Sequence, residues 1–251
     1  MALDFDGTDD RINFGDSTTL EGQLGMTVAA WINSDTVTVS EGHIVTRGRG
    51  GASGWNFNHG SGIADDELQF TKHGVVNINS TAINLSATTW TLVAAVVSST
   101  QVRFHKYPVG GPLTSENVAN NQAFDNTPTP TESNIGCVLD SSGNPVEFFE
   151  GLIAEVAKWN RELSDAEITA LGKGFSPLFM SNSLEFYAPL IGRFSPEINR
   201  LASVTGTITG AVAAPHPRII YPSSAQIRRY TTAAAPEAAA FLSRLSLLGV
   251  G

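Results

Sequence analysis

Apolar and polar residues alternate along most of the first 160 positions, with the period of two that is typical of strands with one buried face. The opening segment ALDFDGTDDRINFG places Leu3 and Phe5 on one face and Asp4 on the other. Comparable short segments recur between turns, at residues 26–32, 43–46, 54–58, 68–71, 90–97, 102–107 and 151–159. Regular short strands of this kind predict an all-β fold, an antiparallel jelly-roll β-sandwich.

One segment, residues 164–172, has the pattern of a short α-helix. Ser164 is suited to the N-cap, and Glu167, three residues later, completes a capping box. An isoleucine and a leucine then follow on one side, and a glycine ends the helix. Two later segments alternate again and predict further strands: 184–190 and 203–209.

The last forty residues differ from the rest in charge. Residues 1–211 carry 11 lysines and arginines against 23 acidic residues, whereas residues 212–251 carry four arginines against one glutamate. We therefore predict a jelly-roll domain over 1–211 and a C-terminal arm over 212–251.

The arm combines an extended, proline-rich segment, APHPRIIYP, with a helix-prone segment over 236–249 that has one apolar face. A finished sandwich does not need this apolar face, so the arm is predicted to contact other subunits. The alternative is that it folds back on its own domain. The predicted interface residues are Ile219, Ile220, Tyr221, Phe241, Leu242, Leu245 and Leu248.

Composition and charge exclude several classes of partner. A net charge of −9 disfavours binding to nucleic acid. No stretch approaches the roughly 20 apolar residues that span a bilayer, and no Sec signal peptide is recognisable at the start. The single cysteine, Cys137, cannot form an internal disulfide and is expected to be a small buried residue. These features predict a protein made and assembled in a reducing cytoplasm.

Four segments, in this order, resemble the LamG-like jelly rolls of the concanavalin A-like lectin/glucanase superfamily: ALDFDGTDDRINFGDSTTL, MTVAAWI, TTWTLVAAVV and FFEGLIAEVAKWNRELSDAEITAL. The last is the most specific, because a strand ending in WNR is followed by LS and a short helix. The likeness covers residues 2–210 and implies the jelly-roll fold, which lectins, glycosidases and structural modules share. This chain departs from the pattern at Glu150 and Ala154, where such modules often carry aspartates.

Acidic residues surround the first turn: Asp4, Asp6, Asp9 and Asp10. The functional interpretation is a Ca²⁺ site, since Ca²⁺ takes about 6–8 oxygen ligands. The alternative is a solvated turn whose side chains bond their own backbone. A second acidic cluster, residues 65–67, is expected to be a solvated loop. We expect no cofactor, with calcium at the first turn as the alternative.

Enzymatic activity is not expected. A retaining glycosidase needs two carboxylates about 5–5.5 Å apart, whereas Glu147 and Glu150 are three residues apart and would face opposite sides of a strand. The five histidines lack metal-ligand spacing. Trp55, beside a glycine-rich turn, is the candidate for stacking on a sugar, and the other three tryptophans are expected to lie in apolar strands.

Two functions follow from the resemblance. Modules with an exit similar to HPRIIYP resemble parts of bacteriophage virion proteins. This implies a virion structural protein, first a capsid decoration (cement) protein and next a tail component. Its partners would be other virion proteins and copies of itself, and its location the virion. The alternative is a carbohydrate-binding, lectin-like module that recognises surface glycans.

Overall fold

A computed structural model describes residues 2–37, 42–60, 66–126, 132–191, 197–198 and 205–222. Strand bounds in chain order are β1 (Ala2–Asp6), β2 (Arg11–Gly15), β3 (Met26–Ser34), β4 (Gly42–Gly48), β5 (Gly54–His59), β6 (Leu68–Lys72), β7 (Val76–Asn79), β8 (Thr91–Val97), β9 (Gln101–Pro108), β10 (Thr114–Ala119), β11 (Ser133–Ile135), β12 (Val138–Leu139), β13 (Pro145–Val146), β14 (Glu150–Trp159), β15 (Leu184–Ala188), β16 (Glu197–Ile198), β17 (Thr205–Thr209) and β18 (Val212–Ala214). The helix α1 spans Asp165–Gly172, and two 3₁₀ turns span Thr18–Leu20 and Pro177–Met180.

Two antiparallel sheets of eight strands each build the sandwich within the described residues. The first sheet has the order β10–β9–β8–β3–β14–β1–β18, with β15 pairing with the second half of β14. The second has the order β16–β17–β2–β11–β4–β5–β6–β7, and β12 and β13 form a separate hairpin. The predicted antiparallel jelly-roll sandwich with one short helix is confirmed.

The central strands of the first sheet are apolar on both faces. In β3, Val28 and Ile32 lie in the core between the sheets. Trp31, on the other face, belongs to a second apolar cluster, together with Ile168 and Leu171 of α1. The first sheet is therefore covered on both sides, by the second sheet and by α1.

A β-bulge interrupts β14. Its pairing with β3 shifts between Ala154 and Ala157, and Glu155 has a φ of 55°. As a result Ile153 and Val156, an odd number of residues apart, both face the inter-sheet core. The strict alternation that the sequence predicts through 151–159 is therefore wrong beyond Ala154. A bulge changes the direction of the side chain at its extra residue. Here it turns the Glu155 carboxylate towards the second apolar cluster, which lies on the outer face of the first sheet.

The described start of the predicted arm lies against the sandwich. Residues 212–214 pair with β1. Further on, the backbone N–H of Ile220 donates to the carbonyl of Gly174 at 2.7 Å. The Tyr221 hydroxyl donates to Oε1 of Glu155 at 2.6 Å, and the Tyr187 hydroxyl donates to Oε2 at 2.7 Å. The buried Glu155 carboxylate thus ties the arm to β14.

The capping box predicted for α1 is present. The Glu167 carboxylate accepts the backbone N–H of Ser164 at 2.9 Å, and the Ser164 hydroxyl accepts the N–H of Glu167. Arg161 donates to the same carboxylate at 2.6 Å. None of the described helices has the length and apolarity that crossing a membrane requires.

We predict that Glu167→Gln lowers the free energy of unfolding by about 1 kcal/mol at pH 7, because it removes a charged cap and a partly exposed ion pair. The bonds from Arg161 lower the pKa of Glu167 from 4.5 to about 2. Since the folded-state pKa is the lower one, this stabilisation is present above pH 4.5 and is lost as the pH falls towards 2. Urea unfolding at several pH values measures it, with the exposed Glu162→Gln as the control. Equal losses in the two variants at pH 7 would contradict the prediction.

We also predict that Tyr221→Phe loosens the arm, because a buried carboxylate oxygen loses a donor, at a cost of about 1–3 kcal/mol. Tryptic cleavage after the exposed Arg218 should become roughly tenfold faster. The control is Tyr107→Phe, which removes a hydroxyl for which no hydrogen bond is found in the described chain. Cleavage at the wild-type rate in Tyr221→Phe would show that this bond does not hold the arm.

Candidate functional site

The outer face of β4–β7 is lined with polar side chains. Along these strands the apolar residues, such as Val45, Phe57 and Phe70, face the core. Their neighbours in the sequence therefore face outwards. We call this outward set the polar face: His43, Thr46, Asn56, Asn58, Gln69, Thr71, His73, Asn77 and Asn79.

Strand register aligns the polar face into two rows. One row runs from Thr46 through Asn56 and Thr71 to Asn77, each residue paired with the next across neighbouring strands. The parallel row runs through His43, Asn58, Gln69 and Asn79. Directly paired side chains on one face of a sheet lie within interaction distance. The register therefore concentrates amide and imidazole groups on one surface.

Part of the polar face lies in a cavity of about 190 Å³. The floor is formed by β4–β7, and the wall by the glycine-rich β4–β5 turn and by the segment around the β12–β13 hairpin. The lining residues beyond the polar face are Gly50, Gly51, Val138 and Glu147. Although they lie on an outer sheet face, most residues of the polar face are buried, His43 to 1% exposed and Asn56 to 3%.

A chain of hydrogen bonds crosses the cavity. The Asn56 amide Nδ2 donates to Nδ1 of His43 at 2.8 Å, so the ring proton of His43 lies on Nε2. Nε2 lies 2.9 Å from Oε2 of Glu147, whose side chain is 45% exposed. These bonds fix the imidazole and leave the Glu147 carboxylate at the rim of the cavity.

A second set of bonds orders the far side of the polar face. The Gln69 amide donates to Oδ1 of Asn79 at 2.9 Å, and the Thr71 hydroxyl donates to Oε1 of Gln69 at 3.0 Å. The amide of Asn58 donates to the carbonyl of Gly60 at 2.7 Å. These groups are held in place before any ligand binds, which lowers the entropic cost of binding.

Two buried polar atoms of the polar face have no hydrogen-bond partner among the described residues: Oδ1 of Asn56 and Nε2 of His73. A buried polar atom without a partner costs about 1–3 kcal/mol. Burial and the neighbouring His43 lower the pKa of His73 to about 4, so its ring is neutral at pH 7. The cavity therefore offers neutral donors and acceptors, with one carboxylate at its rim.

The arrangement presents several hydrogen-bonding groups and one carboxylate. Glu147 is the only carboxylate among the described residues that line the cavity, whereas glycoside hydrolysis uses a pair. Amides, imidazoles and hydroxyls bond ligand groups that both donate and accept.

The predicted calcium residues are partly brought together. Carboxylate oxygens of Asp6, Asp9 and Asp10 lie within 4.8 Å of one another. The bonds of the solvated-turn alternative are present: Oδ1 of Asp6 accepts the N–H of Thr8 at 2.8 Å, which lowers the pKa of Asp6, and Asp10 accepts the N–H of Asp6. Asp4 lies outside this group. Calcium at this turn stays the untested alternative to the expectation of no cofactor.

The second acidic cluster lies partly outside the described residues, since these begin again at 66. Asp66 accepts the Asn84 amide at 3.0 Å. Glu67 is 8% exposed, so the expectation of a solvated loop is wrong for this residue, and burial raises the pKa of its carboxyl. Cys137 is buried as predicted, and burial raises the pKa of its thiol to about 12.

The structure corrects the prediction for Trp55. Its side chain is fully buried, stacks on Phe70 with ring centroids 5.6 Å apart, and donates to the carbonyl of Leu20. It faces the core and cannot stack on a sugar. The alternation that places Phe57 inwards places Trp55 inwards too.

The predicted interface residues are divided between two regions. Ile219 packs against the outer apolar cluster, Ile220 is 42% exposed, and Tyr221 bonds Glu155 while remaining 44% exposed. The four others lie outside the described residues: Phe241, Leu242, Leu245 and Leu248. Their contact with other subunits stays a prediction.

Sequence reasoning missed the polar face. The available signal was the frequency of asparagine and glutamine at alternate positions of NFNH, LQFTKH and VNIN. Asparagine is depleted in strands. Two strands carry it at outward positions here, and the strand between them carries Gln69 there, which indicates a polar surface with a use.

Comparisons with known proteins agree with the fold. Residues 6–169 match a family model of the concanavalin A-like lectin/glucanases superfamily. A candidate carbohydrate-binding protein of Bacteroides ovatus superposes with a TM-score of 0.61 at 21% identity, covering 85% of this chain and 60% of that one. The heptameric SAP-like pentraxin of Limulus polyphemus gives 0.55 at 16%, covering 87% and 97%. This chain thus spans three fifths of the bacterial protein. A comparison with curated protein sequences finds no match.

We predict that His73 titrates near pH 4, because burial disfavours its charged form. Since the folded-state pKa is below the ordinary value of 6.5, the unfolded chain takes up the proton first, and stability falls as the pH drops from 6.5 towards 4. NMR titration of the ring signals, assigned with His73→Gln, measures the midpoint. A midpoint near 6.5 would show that the ring is solvated.

Proposed function

Because this chain belongs to the concanavalin A-like lectin/glucanases superfamily, we propose that it is a non-enzymatic carbohydrate-binding protein whose glycan site is the polar face. The observation that carries the proposal is the cavity in that face, in which buried Asn56 and His73 each retain one polar atom that has no partner among the described residues. Hydroxyls of a sugar both donate and accept, so the hydroxyls of a glycan that enters the cavity can bond either atom.

The lining of the cavity defines the kind of sugar. The described lining residues include no tryptophan, tyrosine or phenylalanine, so recognition rests on hydrogen bonds to hydroxyls rather than on stacking. A site that bonds a hydroxyl discriminates strongly against analogues that lack it. Glu147 at the rim and the net charge of −9 disfavour acidic sugars. The proposed ligand is a neutral glycan with vicinal hydroxyls.

The comparisons support this proposal at the level of the fold. The superfamily includes lectins, and the similar Bacteroides ovatus protein is a candidate carbohydrate binder. The bacteriophage virion role, with its cement or tail assignment and its virion partners and location, stays a prediction from the sequence. The fold supports the carbohydrate-binding alternative better.

We predict that the protein binds neutral oligosaccharides on a glycan array, and that Asn77→Ala lowers the affinity for the best of them about 3–10-fold by calorimetry. Asn77 is exposed and lines the cavity, so its truncation should leave the fold intact. The matched control is Asn117→Ala on β10 of the first sheet, also exposed. Equal affinity in both variants would place the site elsewhere, and an array without bound glycans would refute the proposal.

We further predict no release of reducing ends from the bound oligosaccharide over prolonged incubation, because a second carboxylate is missing from the described lining. If reducing ends are released above the level of the buffer blank, and if Glu147→Gln abolishes this release, the protein is a glycosidase. The same variant should still bind the glycan.

A further inference from the structure

A second cavity, of about 310 Å³, lies on the outer face of the first sheet, away from the polar face. It is formed where three parts of the chain meet: β3 and the end of β9, the end of α1, and the arm. Its chemically distinctive lining residues are Trp31, Tyr107, Lys173 and Arg218. Its volume is at the lower end of the about 300–1,000 Å³ that is typical of ligand pockets, and therefore suits a single sugar ring better than a nucleotide.

The side chains of Trp31, Lys173 and Arg218 bring to this cavity hydrogen-bond donors that have no acceptor among the described residues. Trp31 is 3% exposed as a whole, but its indole nitrogen is not among the fully buried atoms and makes no hydrogen bond within the described chain. The other two buried indoles, Trp55 and Trp159, donate to the carbonyls of Leu20 and Met180. A buried indole N–H usually has an acceptor. The Trp31 N–H is instead accessible at the cavity, where a ligand can accept from it.

The two cations of the cavity are likewise unpaired. The exposed side chains of Lys173 and Arg218 have neither an ion pair nor a hydrogen bond among the described residues, whereas those of Arg47, Arg49 and Arg103 each pair with a carboxylate. In a chain with a net charge of −9, two unpaired cations from different elements at one cavity create a local positive potential. Such a potential attracts an anionic ligand.

Two glycines allow the cavity walls to meet. A Cβ at Gly172 would collide with the ring of Tyr107, and a Cβ at Gly174, whose φ is +86°, would collide with the carbonyl of Arg218. The helix end therefore packs directly on the tyrosine and on the arm. The bond from Tyr221 to Glu155 then holds the arm, and Arg218 with it, beside the cavity.

We propose that this cavity is a second ligand site, for a sugar residue that carries a carboxylate. The carboxylate would pair with Lys173 and Arg218, while ring oxygens would accept from the indole N–H of Trp31 and the Tyr107 hydroxyl. Charge-assisted bonds to a carboxylate are about twice as strong as neutral ones, so the acid group decides the specificity. This site is independent of the polar face, which is suited to neutral sugars.

The test is an NMR titration of the full chain with methyl glucuronoside and with methyl glucoside. The two differ only at C6, which is a carboxylate in the first and a hydroxymethyl group in the second. We expect the glucuronoside to bind at least tenfold more tightly, and the Lys173→Gln/Arg218→Gln variant to lose this difference. Added salt should weaken the binding of the glucuronoside alone. The control is Lys106→Gln, since Lys106 adjoins Tyr107 but bonds the carbonyl of Asn84.

The remaining outcomes separate this proposal from the one for the polar face. Asn77→Ala should leave glucuronoside binding unchanged; if it abolishes binding, the acidic sugar occupies the polar face and the second site is refuted. Equal binding of the two glycosides, or none by the wild type, would also refute it. If inorganic phosphate competes as tightly as the glucuronoside, the cavity is a simple anion site, and the sugar assignment is wrong.

Discussion

The two-sided apolar character of β3, β8 and β14 is the constraint on which the rest of the structure depends. A sheet with apolar residues on both faces must be covered on both, because each exposed Å² of apolar surface costs about 25 cal/mol. The second sheet covers one face of these strands. α1, the Pro177–Met180 turn and Ile219 of the arm cover the other. The position of the arm follows from this requirement.

The second sheet, in contrast, needs to be apolar on its inner face only. Its inner face supplies half of the core, but α1 does not cover its outer face, so that face can carry polar residues. The β12–β13 hairpin and Glu147 cover part of this outer face. The amide side chains beneath them are therefore buried although they are polar. A buried polar surface has to be hydrogen-bonded. The bonds that the polar face lacks are the ones that a ligand can supply.

Much of the fold could be predicted from the sequence because its signals are local. The segments 26–32 and 90–97 are apolar enough to be strands in any context. Ser164 and Glu167 form the capping-box pattern that predicts the start of α1. β10 could not be predicted, since TSENVA is largely polar and pairs only along the sheet edge. The bulge at Glu155 could not be predicted from the sequence either, because it depends on how β14 pairs with β3 and not on the identity of the residue.

The candidate site was harder to predict than the fold. Asn56, Thr71 and Asn77 lie on three strands, and only the register brings them into one row. Each alone is indistinguishable from a residue on a solvated face. Trp55 is the opposite case. It was selected as a sugar-stacking residue for its chemistry, although its position two residues before Phe57 already placed it on the core face of β5.

The most direct test of the account is an NMR map of the side-chain amides during titration with the neutral glycan selected on the array. We expect the amide signals of Asn56, Gln69 and Asn77 to shift together and to saturate with one affinity. Amides remote from the polar face, such as that of Asn117, should remain in place. Saturable binding that leaves the amides of β5–β7 unmoved would contradict the central claim that the polar face is the glycan site.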